Sequence, residues 1–190
     1  MSGLSGMQRM AQFIDGLNQR VGRFIAWGTL LMVLTTAAVV LLRHVFSIGW
    51  IWLQELSVYL HALVFLLGAA YALSYDEHVR VDVFYRGMQP TGRRWVDTLG
   101  TLFLLLPTIV FIFWSSWSYV LRSWTEQESS HETGGLIYPF PSMLKTSILI
   151  ACVLLGLQGI AILLRLWGGD VNSAYSSPSE PDTAATGKAE

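Results

Sequence analysis

Four stretches of this chain, residues 24–42, 51–74, 95–121 and 144–167, are apolar, with charged residues confined to their ends. Crossing a hydrocarbon core of about 30 Å as a helix takes about 20 residues at 1.5 Å rise each. Backbone polar groups in lipid must be satisfied internally, so such runs become helices. The pattern predicts an all-α integral membrane protein with four transmembrane helices. Composition agrees: the chain is 53% hydrophobic and 13% charged, where soluble domains average about 25% charged. The formal net charge of −1 offers nothing to nucleic acid. Cys152 is the single cysteine, so no intrachain disulfide forms. It sits inside an apolar run and reads as a small buried hydrophobe.

Ahead of the first span, Met7, Met10, Ile14, Leu17, Val21 and Phe24 recur at steps of three and four. Gln8, Arg9, Gln12, Asp15, Gln19 and Arg23 fill the other side. Residues 1–23 therefore predict an amphipathic cytoplasmic or interfacial helix, not a signal peptide, because the apolar run starts late and is retained. Residues 24–167 form the membrane domain. Residues 168–190, rich in Ser, Pro, Ala and Gly, predict a disordered cytoplasmic tail. Between the second and third spans, residues 79–88 predict a loop along the cytoplasmic membrane surface, with Thr91 as helix cap. Pro107 predicts a kink in the third span, and Gln158 in the fourth requires a partner in lipid. Arg9, Arg20, Arg23, Arg80, Arg86, Arg93, Arg94 and Arg165 fall on one side of this scheme; Arg43, Arg122 and Lys145 fall on the other. The excess of basic residues puts both termini in the cytoplasm.

Chemistry is sparse. Glu55 is an acid one turn inside the second span, and a carboxylate in the membrane calls for a partner. Arg43, Arg122 and Lys145, near the outer ends of the other helices, are the cations in reach for a structural ion pair. On a helical wheel Glu55, Tyr59, Ala62, Leu66 and Ala69 share a face, and Ser57, His61, Gly68 and Ala72 share the opposite one. Neither face reads as purely lipid-facing, so one suits packing inside the bundle and the other a second protein. His61 is the one clearly intramembrane histidine, and no second histidine matches its depth as haem ligation would require. His78 and Asp82 lie four apart, too few for a metal site. Neither a nucleophile–base pair nor a nucleotide-binding fingerprint is present. The expectation is no enzyme, no cofactor and no metal.

Trp52–Leu63 reads W-x-x-E-x-x-x-Y-x-x-x-L, Leu66–Leu73 reads LLGAAYAL, and His78–Phe84 reads HVRVDVF. Together these tracts resemble the small permease, or DctQ-like, subunit of tripartite ATP-independent periplasmic (TRAP) transporters, across roughly Trp27 to Arg165. A basic residue often precedes the His-Val tract in that family; here Ser74, Tyr75, Asp76 and Glu77 stand there. The resemblance implies a multi-pass protein of the bacterial inner membrane. It would pack against a large permease subunit that takes up organic acids, such as dicarboxylates or sugar acids, on a cation gradient, commonly sodium. A periplasmic binding protein would deliver the solute. On this reading Glu55, Tyr59, His61, Gly68, His78, Arg80 and Asp82 are structural or subunit-contact residues. The alternatives are a self-associating channel, for which Ser115, Ser118 and Arg122 form only a short polar stripe, and a small membrane-anchored redox subunit, which lacks paired ligands.

Overall fold

The computed structural model describes residues 6–74 and 90–168. Among these residues the structure is helical, with no strand. The helices are α1 (Gly6–Val45), α2 (Ile51–Ser74), α3 (Pro90–Leu99), a π-helical segment (Gly100–Leu105), α4 (Leu106–Thr125) and α5 (Phe140–Gly168). Four helical stretches are long and apolar enough to cross a membrane: α1, α2, the continuous run Arg94–Thr125, and α5. The second matches the sequence-based range 51–74. His78, Arg80, Asp82, the surface loop 79–88, the Thr91 side chain and the tail from residue 169 lie outside the described residues.

The amphipathic segment and the first span form one helix of 40 residues. At 1.5 Å per residue it is about 60 Å long, twice the hydrocarbon thickness. Its buried side is not the predicted apolar stripe. Met7, Met10, Leu17 and Phe24 of that stripe are exposed, whereas Ala11, Ile14, Asp15, Asn18 and Gly22 are buried. The helix is rotated by roughly a quarter turn from the simple amphipathic reading. The reason is chemical: Asp15 and Asn18 meet polar partners on α5, and Ala11 and Ile14 pack with Ala161, Leu157 and Leu164 of that helix.

The rest of α1 runs antiparallel along α2. Gly22 lies under the Tyr71 ring, so close that any Cβ would collide with it. Gly28 faces Val64, and the Thr36 and Ser57 hydroxyls share a hydrogen bond of 2.6 Å. Helix α5 is the centre of the bundle and touches α1, α2 and α4. Its buried positions are mostly small, including Ser142, Ser147, Ala151, Cys152, Gly159 and Ala161, which lets neighbouring helices approach closely. Cys152 is buried there as a free thiol.

The irregularity expected at Pro107 takes the form of the π-helical segment immediately before it. Proline lacks the N–H that would bond the carbonyl four residues back and its ring crowds that carbonyl. A widened turn at residues 100–105 absorbs both effects without ending the helix. Thr101, Leu105 and Leu106 then pack over Gly159 of α5.

Candidate functional site

The polar residues collect at two places. The first is where the connection between α4 and α5 folds back over the start of α2. Glu55 organises it: one carboxylate oxygen accepts from the Ser130 hydroxyl, and the other accepts from the Leu136 N–H at 2.7 Å. The loop closes on itself through Ser130 N–H to Leu136 O at 2.8 Å and Gly135 N–H to Glu132 O at 3.0 Å. Two glycines make the approach feasible. Gly134 has φ of +85°, and a Cβ at Gly135 would sit 2.7 Å from the Glu55 carboxylate and collide with Ser130. The Gly134 carbonyl in turn accepts from the Trp52 N–H at 3.1 Å, satisfying a first-turn donor of α2.

This arrangement corrects the expected pairing. Glu55 is partnered by a hydroxyl and a backbone amide, not by Arg43, Arg122 or Lys145. Among the described residues Arg122 bonds Glu126 one turn on at 2.8 Å, Lys145 pairs with Glu128, and Arg43 lies exposed in the last turn of α1. Backbone donors satisfy a carboxylate without the entropy of ordering a long cationic side chain, so a glycine-bearing loop wins the site.

Glu55, Tyr59, Tyr119, Glu128, His131 and Lys145 border a cleft of about 520 Å³ whose floor includes Ala62 and Leu66. The face predicted from Glu55 to Leu66 thus lines one cleft. The Lys145 ammonium sits 4.1 Å from the centre of the Tyr119 ring, a cation–π contact. Its pairing, followed by a hydrogen bond from the Ser123 hydroxyl, holds the Glu128 carboxyl below the ordinary carboxylate range. Ser123 and Ser142, both buried, bridge α4 and α5 at 3.0 Å, and Trp124 Nε1–H donates to Thr146 at 2.9 Å. The acids and His131 around the cleft do not converge into a metal-ligand group among the described residues.

The second place lies between α1 and α5. Asp15 forms an ion pair with Arg165 and accepts from Gln158 Nε2 at 2.9 Å; Asn18 Nδ2 donates to Gln158 Oε1 at 2.5 Å. Gln158 and Asn18 are fully buried. The partner that Gln158 requires is therefore Asp15, which the amphipathic reading had put on the polar face, together with Asn18, which that reading did not place. The signal was present, since Asp15 and Asn18 stand three apart on one helix face. Further along α5, Trp167 donates to Thr98 at 3.3 Å, packs edge-on against Trp95, and lies under the Arg94 guanidinium at 4.3 Å.

His61 and Gly68 are not brought to either cluster. His61 is exposed, and the space around Gly68 is open. Ser57, expected on their face, turns instead to Thr36 of α1.

Four spans, a loop folded over the start of α2 and polar groups bound mainly to one another define a small all-helical membrane subunit. The family profile described as "Tripartite ATP-independent periplasmic transporters, DctQ component" matches residues 32–169. The chain belongs to that family: it is a multi-pass inner-membrane protein and a component of a transporter. It is similar to the C4-dicarboxylate TRAP transporter small permease protein DctQ of Vibrio cholerae, with 28% identity over 141 residues. The match covers 74% of this chain, and the chain spans 58% of the length of that relative. No solved structure matches it.

Proposed function

We propose that this chain is the accessory membrane subunit of a cation-gradient-driven uptake system for organic acids. It packs against a large permease subunit that holds the solute and cation sites, and a periplasmic binding protein delivers the solute. The Vibrio cholerae relative is named for C4-dicarboxylates, which makes dicarboxylates the first solutes to try. The observation that carries the reading is how the spans dispose of their polar groups. Glu55 is held by its own loop, and Asp15, Asn18, Gln158 and Arg165 are tied to one another. A transporter with its own midplane site needs discontinuous helices and convergent polar groups left free for solute. Among the described residues the π-helical segment Gly100–Leu105 is the irregular part of a span, and it is made mainly of apolar residues.

The basic-residue bias supports cytoplasmic termini and a periplasmic loop at residues 126–139. Reporter fusions after Ser47 and Glu128 should read as periplasmic and a fusion after Met88 as cytoplasmic; a cytoplasmic signal at Glu128 overturns that orientation. The functional test is reconstitution into proteoliposomes with a sodium gradient and labelled dicarboxylates. Uptake should need this chain, the large permease and the binding protein together. Uptake by this chain alone would refute the accessory role.

A further inference from the structure

Gln54, Val58, His61, Phe65, Gly68 and Ala72 run the length of α2 at alternating steps of four and three residues. That alternation is the seam along which two helices pack at a shallow left-handed crossing. Two other faces of α2 look elsewhere. Ser57, Val64 and Tyr71 meet α1, and Glu55, Tyr59, Ala62 and Leu66 line the outer cleft. Beyond its first turns, where Gln54 and Val58 border a shallow pocket beside Glu55, Tyr59 and Glu132, the seam is turned away from both. Val58 and Phe65 are 63% and 70% exposed, His61 is exposed, and a side chain at Gly68 would meet nothing within 4 Å.

His61 determines what must cover this seam. It lies about 15 Å from the start of a helix about 36 Å long, near the midplane of a bilayer. No described residue donates to or accepts from its ring. An imidazole facing hydrocarbon without a partner is unfavourable, and polar side chains within spans pair inside assemblies. The exposed surface of the third span is a useful contrast: Phe103, Val110, Phe111 and Trp114 are apolar, and lipid covers them without loss. A second copy of this chain fits the seam poorly. Symmetric parallel pairing would set Gly68 against Gly68 beside Phe65 against Phe65, leaving a gap next to a crowded layer.

We propose that this seam receives a transmembrane helix of the large permease subunit. A hydrogen-bonding group of that helix pairs with the His61 ring, and its backbone comes nearest at Gly68. The inference rests on the subunit role proposed above and adds to it the face and the contact chemistry. The test uses membranes containing this chain, the large permease and the binding protein. A photo-crosslinking benzoylphenylalanine replaces Phe65 or, as control, Phe111, and co-purification of the large subunit is read on the same samples. The expected result is a crosslink to the large subunit from position 65 and none from position 111. His61→Leu should lower co-purification about threefold, as expected for one hydrogen bond in lipid, and His61→Gln should restore most of it. Gly68→Leu should lower it about tenfold by blocking close approach, with circular dichroism of each variant alone confirming the helix content. Intact co-purification with position 65 coupling only to lipid or to a second copy overturns the seam and leaves the accessory role standing. Unchanged co-purification of His61→Leu also overturns it. Failure of the unsubstituted chain to co-purify with the large subunit overturns both.

Discussion

The two polar clusters solve the same problem in different ways. Where the 126–139 loop caps α2, the Arg122–Glu126 pair sits where solvent screens it, its side chains 78% and 56% exposed, whereas the Lys145–Glu128 pair is sheltered, at 14% and 24%. There the decisive acid, Glu55, is held by neutral donors of a loop, and the result is a folded cap over the cleft. Between α1 and α5 the side chains of Asp15 and Arg165 are only 10% and 33% exposed, and fully buried amides complete the network. The result there is a tie between two helices. What sets the second cluster apart is that amides with almost no exposure surround its ion pair, and polar contacts that are buried together are expected to cost more to break than screened ones.

The largest effect should come from the tie between α1 and α5. Asp15→Ala leaves Arg165 without its counter-charge and removes the acceptor of Gln158 Nε2. Breaking a buried pair costs about 3–5 kcal/mol, and the partial exposure of Arg165 places this one at about the lower end. Thermal unfolding in detergent should show the loss, and crosslinks between the first 20 residues and α5 should weaken. Asp15→Ala combined with Arg165→Leu should recover part of it, since the uncompensated charge is gone. A single substitution as stable as the parent would mean that the two clusters do not differ in kind.

A smaller effect is expected at Glu55. Glu55→Gln can keep an acceptor for the Leu136 N–H and turn its N–H₂ to the Ser130 hydroxyl, which can accept, so what it removes is the carboxylate charge that strengthens both bonds. Hydrogen bonds to charged groups contribute about 1.5–3 kcal/mol each. Hydrogen exchange at the Leu136 amide should accelerate by about tenfold or more, and proteolysis within residues 126–139 should increase, while α1–α5 crosslinks stay unchanged. Gly135→Ala should open the same loop by collision with Ser130 and Glu55. Equal loosening of both clusters would show that they are coupled.

How much of this was legible in the sequence follows the same division. Run length and apolarity gave four spans and the bounds of α2, because a bilayer reads little else. Glu55 and Gln158 announced themselves as polar groups needing partners, and the face from Glu55 to Leu66 lines one cleft. The partners were harder to see. Ser130 and the Leu136 N–H stand 75 and 81 residues from Glu55, and a backbone amide carries no sequence signature; only the Gly134–Gly135 doublet hinted at a tight approach. Asp15 was assigned to solvent because amphipathicity counts apolar residues and takes polar ones as wet, although Asp15 and Asn18 had partners 143 and 140 residues away. The turn at residues 100–105 was legible as an irregularity at Pro107 but not as a π-helical segment, since the choice depends on packing over Gly159.

The smallest expected effect is a pH dependence of the cap formed by residues 126–139. The Lys145 ammonium and the Ser123 hydroxyl lower the pKa of Glu128 below the ordinary glutamate value of about 4.3. A carboxyl whose folded-state pKa is depressed contributes stability that is present above its unfolded value and lost as pH falls through the folded one. The contact is therefore intact at neutral pH and lost only in acid, below the range where an unperturbed glutamate titrates. Lowering pH through that range should speed hydrogen exchange in residues 126–139, and Glu128→Gln should remove the acid step while raising exchange slightly at neutral pH. The Asp15–Arg165 tie provides the internal comparison, because α1–α5 crosslinking in the same samples reports it separately. If Glu128→Gln left the acid step in the cap unchanged, the Lys145–Glu128 contact would not be its cause.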